Sequence, residues 1–147
     1  MKKMLIEAVI IFAVLAIAIL VIGRVFYPDN IAETAPDGGK KNLKTRIYNS
    51  DLETAGKTVK EIIPTLSTYG GNWKLVGETD NTEKGKVIKA EVPVVIFADD
   101  LEVYIKEIGN EVSIDAKSNS RVGKSDFGEN ARHVNQLLKA LDEKLKK

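Results

Sequence analysis

Seven polar side chains recur close together in the second half of the chain: Asp99 and Asp100, then Ser120 and Arg121, then Ser125, Asp126 and Asn130. Their types suit the recognition of a small polar or anionic ligand, or hydrolase chemistry. Carboxylates orient partners, an arginine presents a planar fork of donors, and a helix opening at Ser125-Asp126 adds free backbone amides. The same residues also suit a structural clasp, with Asp99 or Asp100 holding Arg121 and Ser125 or Asp126 capping the helix. The clasp is the preferred reading, because polar groups at strand ends commonly serve turns and caps.

A hairpin must bring these residues together. Leu101, Val103 and Ile105 alternate with Glu102, Tyr104 and Lys106, and Val112, Ile114 and Ala116 alternate with Ser113, Asp115 and Lys117. Gly109-Asn110 between the runs is a two-residue turn signal of the II′ kind. That turn fixes the register: Val103 faces Ala116, Ile105 faces Ile114, Glu102 faces Lys117, Asp100 faces Asn119 and Asp99 faces Ser120. Arg121 then follows at the end of the hairpin, beside two carboxylates.

Two earlier runs, Asn72 to Thr79 and Lys86 to Phe97, are β-branched and aromatic, with a polar turn from Asp80 to Gly85 between them. Asp80 through Glu91 has the Asp, Gly and Glu spacing of a calcium loop. Lys84 occupies a ligand position, however, and no helices flank the loop, so a β-turn is the better reading. Ser50 with Glu53 forms a capping box, and Leu52, Ala55, Val59, Ile62, Ile63 and Leu66 follow at helical spacing. Pro64 should kink or end that helix, and Gly70-Gly71 ends any continuation. Asp126 with Glu129, or Ser125 alone, opens a last helix carrying Phe127, Ala131, Val134, Leu137, Leu138, Leu141 and Leu145. Helix, four strands and helix predict an α+β domain with a four-stranded antiparallel sheet and both helices on one face.

Composition removes several other chemistries. The chain has no cysteine, and its single histidine, His133, leaves a zinc site to be built from carboxylates, so no metal centre is expected. A net charge of +1 supplies no field for a polyanion, which argues against a nucleic-acid partner. No phosphate-binding or dinucleotide-binding glycine motif and no nucleophile elbow occur, so no cofactor is expected. Ser125 and His133 lie about 12 Å apart along a helix, too far for a dyad. Ser120 could approach His133 only through folding, and His133, between Arg132 and Val134, reads as a solvated residue. Pro93 to Phe97 is apolar at consecutive positions. Val95, Phe97 and Tyr104 are therefore expected on the sheet face away from the helices, as a surface for a partner.

Residues 1–27 read as a transmembrane signal anchor. Leu5 to Phe26 is apolar apart from Glu7 and Arg24 and spans about 33 Å, enough for a bilayer core of roughly 30 Å. The run is longer than a signal-peptide core, and no clean small-x-small cleavage site follows it. Lys2 and Lys3 beside a short tail place the amino terminus in the cytoplasm and the domain outside, although Arg24, Lys40, Lys41 and Lys44 reduce the asymmetry. Residues 28–44, with Pro28, Pro36, Gly38 and Gly39, read as a flexible tether. The domain is expected over 45–147, and the chain after residue 30 carries equal numbers of basic and acidic residues.

The stretch Phe97-Ala98-Asp99-Asp100-Leu101-Glu102-Val103, followed by Ser118-Asn119-Ser120-Arg121-Val122-Gly123-Lys124-Ser125-Asp126-Phe127-Gly128-Glu129-Asn130-Ala131-Arg132, resembles the domain of unknown function 1499 family. Members show an F-x-D-D-v-E strand and an R-S-x-S-R-x-G-x-S-D-x-G-x-N block before a C-terminal helix. The resemblance covers roughly residues 45–145. Here Lys117-Ser118 replaces the usual Arg-Ser, and the cysteine-containing segment is absent. The resemblance implies an α+β fold and a membrane-associated or exported protein, but no activity. Together these readings predict a membrane-anchored, extracytoplasmic, non-enzymatic accessory or interaction subunit, with the bilayer and a membrane protein as partners. The alternative is a ligand binder or hydrolase using Asp99, Asp100, Arg121 and Ser125.

Overall fold

The computed structural model describes residues 2–81 and 85–145, so residues 82–84 of the polar turn fall outside the described ones. The first helix, α1 (Lys2–Phe26), is long and apolar enough to cross a membrane. Of its residues only Gly23 is buried, so the helix stands clear of the domain until its last turn.

The domain is a six-stranded antiparallel sheet with α2 (Leu52–Ile62) and α3 (Glu129–Lys144) packed on one face. Its long strands are β5 (Lys74–Asn81), β6 (Gly85–Val94), β7 (Phe97–Ile108) and β8 (Glu111–Ser120). The β7–β8 register is the one the turn dictates: Val103 faces Ala116, Ile105 faces Ile114, Glu102 faces Lys117, Asp100 faces Asn119 and Asp99 faces Ser120. Gly109 takes a φ of 62°, as the first central residue of a II′ turn must. Alternation then directs Ile88, Ala90, Val92, Leu101, Val103, Ile105, Ile114 and Ala116 into the core beneath Val59, Ile63, Leu137, Leu138 and Leu141.

Each helix differs from its expected start by a turn residue or two. Asp51, not Ser50, caps α2, accepting a bond from the Thr54 amide at 2.8 Å. Pro64 sits in a 3-10 turn, Ile63–Thr65, that ends α2 as expected. A two-strand ribbon, β3 (Ser67–Thr68) and β4 (Gly71–Asn72), follows around Tyr69-Gly70.

The sheet has six strands rather than four because two short segments join its edge, one within residues 28–44 and one just after them. β1 (Ile31–Glu33) pairs with Lys117–Asn119 of β8, and β2 (Arg46–Tyr48) pairs with Val112–Ile114 of the same edge. The intervening loop is tied down by Thr34 and Thr45, whose hydroxyls both donate to Asp115 Oδ1 at 2.7 and 2.6 Å. Ala32 and Leu43 are buried there. The physical reason is the outer edge of β8, a row of backbone donors and acceptors that needs partners; two short segments cover it in halves.

Asp115 therefore holds both ends of this loop. Replacing it, Asp115→Ala, should cost about 2–3 kcal/mol, because two hydroxyl bonds to a half-buried carboxylate are lost. Chemical denaturation of the full chain in detergent, with limited proteolysis between residues 34 and 45, would measure this. Unchanged stability and unchanged cleavage would contradict the role.

Candidate functional site

Strand alternation divides the seven predicted residues between the two faces of the sheet. On the open face, Glu91 of β6 lies directly opposite Asp100 of β7, an unfavourable pairing of like charges. Arg121 resolves it. Its Nε donates to Asp100 Oδ1 at 2.9 Å, and its Nη2 donates to Asp100 Oδ1 at 2.5 Å and to Glu91 Oε1 at 2.6 Å. These carboxylates hold the guanidinium protonated well beyond its usual range. Arg121 is thus committed to Asp100 and Glu91, and Asp99 stands on the opposite face. Glu91, the last residue of the calcium-like spacing, is engaged in this pair.

On the helix face, Asp99 is buried among Ser120 of β8 and residues of α3. Asn130, fully buried, forms the centre. Its Nδ2 donates to Asn30 O at 2.9 Å, Ser120 Oγ at 2.8 Å and Asp126 Oδ2 at 2.7 Å, and its Oδ1 accepts from Ser118 Oγ at 2.6 Å. Asp126 stands in the turn before α3, where its carboxylate accepts the amides of Gly128 at 2.8 Å and Asn130 at 3.0 Å, while Gly128 holds the N-cap position. Helix α3 itself begins only at Glu129 because Phe127 and Gly128 take left-handed φ values of 52° and 79°. Ser125 does not cap α3. Its hydroxyl donates at 2.9 Å to the Gly23 carbonyl in the last turn of α1.

Two further members of this cluster were not among the predicted site residues. Ser118 and His133 are completely buried, so His133 is not a solvated flank residue. Its ring stands edge-on to Trp73 at 5.9 Å. Nδ1 lies 3.5 Å from Ser118 Oγ and 3.6 Å from Asp99 Oδ2, while Nε2 lies 3.4 Å from Glu129 Oε1 without a hydrogen bond. Ser118, not Ser120, is the serine brought to His133. The 15-residue separation gave no sequence signal for this pair, since the contact exists only once α3 crosses β8. Chemically the group resembles a serine, a histidine and a carboxylate, but Ser118 gives its proton to Asn130 and lies beneath the core.

Burial pushes the Asp99 carboxyl up to about 6, with Asp126, Glu129 and Asp100 adding repulsion and the Ser120 hydroxyl opposing it. Burial likewise holds His133 neutral, below its usual value. The two act in opposite senses on stability. Asp99 binds its proton more tightly when folded, so its contribution is favourable at acid pH and is lost as pH rises from about 4 to about 6. His133, depressed in the folded state, contributes stability above its ordinary value that is lost on acidification.

The predicted partner surface also divides. Val95 and Ile96 form the exposed turn between β6 and β7, with Phe97 beside them. Tyr104 is about 23 Å further along β7 on the other face. That face is charged rather than apolar. Lys89 pairs with Glu102 at 3.3 Å, and the Tyr104 hydroxyl donates to Glu102. Val95, Phe97 and Tyr104 therefore do not form one surface.

Asp99→Asn removes the ionisation but keeps the shape. Relative to the unaltered chain, the variant should gain about 3 kcal/mol between pH 4 and pH 7, the equivalent of a shift of roughly two pKa units. Urea titrations at the two pH values check this; a pH-independent difference would contradict it. Arg121→Gln should cost about 0.5–1 kcal/mol at neutral pH and low salt, and less in concentrated salt, as expected of a half-exposed pair.

No curated protein matches the chain. The family model described as "Protein of unknown function (DUF1499)" matches residues 27–141, which takes in the sheet, the polar cluster and the segment of β1 and its loop. With a match from the exit of α1 to the last turns of α3, the chain belongs to the DUF1499 family of proteins of unknown function.

Proposed function

We propose that this chain is a single-pass, membrane-anchored interaction module, an accessory subunit of a membrane-associated complex rather than a catalyst. Its amino terminus lies in the cytoplasm and its domain on the other side. The observation that carries this reading is where the polar residues of the cluster direct their hydrogen bonds. Asn130 binds the Asn30 carbonyl, Ser125 binds the Gly23 carbonyl, and Asn30 Nδ2 in turn donates to Gly123 O at 2.9 Å. Residues that could have faced a ligand instead join the exit of the anchor to β8 and α3. Arg121, the best anion ligand of the set, is taken by two carboxylates.

This use of the cluster fits a domain that must be mounted in a fixed attitude on its helix. A catalyst needs an open position next to its reacting groups. An interaction module needs a rigid mount. The Phe127 ring supports the mount, lying so close over the helix that a Cβ placed on Gly23 would collide with Phe127 Cζ.

Two measurements test the reading. The chain lacks cysteine, so Asn110→Cys gives a unique thiol at the far turn. A membrane-impermeant maleimide should label it from outside intact cells, and labelling only after the membrane is opened would overturn the orientation. The detergent-extracted full chain should migrate in native gels within an assembly larger than itself. It should also show no thermal shift with phosphate or simple carboxylates. A shift abolished by Arg121→Ala would replace the interaction reading with a ligand-binding one.

A further inference from the structure

The strand connections place four features at one end of the sheet: the close of β6 at Val94, the start of β7 at Phe97, the close of β8 at Ser120 and the start of β1 at Ile31. The anchor leaves the domain at that same end. The Ser120 amide donates to the Asn30 carbonyl at 2.9 Å, and the last turn of α1 lies against Ser125 and Phe127. Gly23, which Phe127 covers, is three residues before the end of the spanning helix, so Phe127 already sits about 4–5 Å inside the apolar segment. The Gly109-Asn110 turn is at the opposite end, roughly 40 Å away along β7.

This end of the domain exposes large apolar side chains. Val95 and Ile96 are 74% and 80% exposed, and Phe97 and Val122 are half exposed. The backbone is strained to present them. Four non-glycine residues among those described have positive φ; one is Asn42, for which that conformation is ordinary. The others, Tyr69, Val95 and Phe127, are bulky, all stand at this end, and Val95 is β-branched, the type that adopts φ 49° least readily. A tight hairpin in water would carry Gly or Asn there. A cleft of about 320 Å³ beside Phe26 and Tyr27, where the helix exits, is lined by Lys40 and Lys41 and equally by Asp29 and Asp126, so its charges balance.

We propose that the Val95-Ile96 turn is a second membrane contact, seated in the headgroup boundary of the leaflet from which α1 emerges. The domain then rests on the bilayer at two points, the helix and the hairpin tip. The occupant is lipid because the patch continues the surface at which α1 and Phe127 enter the apolar layer. Amphipathic groups of this kind bury their apolar parts about 5–10 Å into that boundary. Aromatic residues such as Tyr27 and Tyr69 suit the same depth. The proposal rests on α1 remaining in the bilayer, and it fixes the attitude of the domain that the polar cluster holds rigid.

The test uses the full chain in phosphatidylcholine vesicles, with a single environment-sensitive fluorophore attached through Phe12→Cys, Ile96→Cys or Asn110→Cys. A phosphatidylcholine spin-labelled near the head of its acyl chain serves as quencher. Quenching at 12 and loss of about half the emission at 96, with none at 110, is the expected result. Val95→Asp should then reduce the quenching at 96 by about two-fold. Quenching at 12 without quenching at 96 overturns the membrane contact and leaves the tip as a surface for a protein partner. Equal quenching at 96 and 110, or indifference to Val95→Asp, also overturns it. Absence of quenching at 12 overturns the anchor reading, and this proposal with it.

Discussion

The side chain of Asn130 is wholly buried, and both its oxygen and its nitrogen are used. A buried amide must be satisfied or it destabilises the fold by a few kcal/mol, so its partners are constrained to arrive together. Those partners belong to separate parts of the chain: Asn30 after α1, Ser118 and Ser120 on β8, and Asp126 before α3. Its hydrogen bonds form together only when β1 has covered the edge of β8 and α3 has docked across it. This one residue links the exit of α1, the sheet edge and the terminal helix.

The charged face of the sheet follows a different logic. Glu91 and Asp100 are opposed by register and would repel one another without Arg121, whose fork reaches both. Exposed pairs of this kind add little stability. They do make the register specific, since a slip would separate the arginine from one carboxylate and turn the apolar set outward. The two faces thus use their polar residues for distinct purposes, one to join segments buried beneath helices and the other to fix strand pairing at the surface.

Asp99 and His133 are the costly members of the buried group. Neither has an ideal partner, and burial pushes both toward neutrality. Their closest approach, 3.6 Å, is longer than a hydrogen bond. Stabilisation there comes from Trp73 and the surrounding apolar side chains rather than from a strong ion pair, as a desolvated pair would lead one to expect.

Local pattern was enough to establish the membrane-length helix, the α+β class, the II′ turn and the residue-by-residue register of β7 with β8, because each depends on contiguous periodicity and one turn. It also named Asp99, Ser120, Asp126 and Asn130 of the buried cluster, but not Ser118 or His133. Other features were decided only by tertiary structure. β1 and β2 have three residues each, too few for a period, and they exist because β8 offers an edge to fill. Asp99 and Asp100, adjacent in sequence, were separated by the thickness of a sheet, and Ser118 met His133 through the crossing of α3. Such contacts depend on which faces pack together, and one-dimensional spacing does not contain that information.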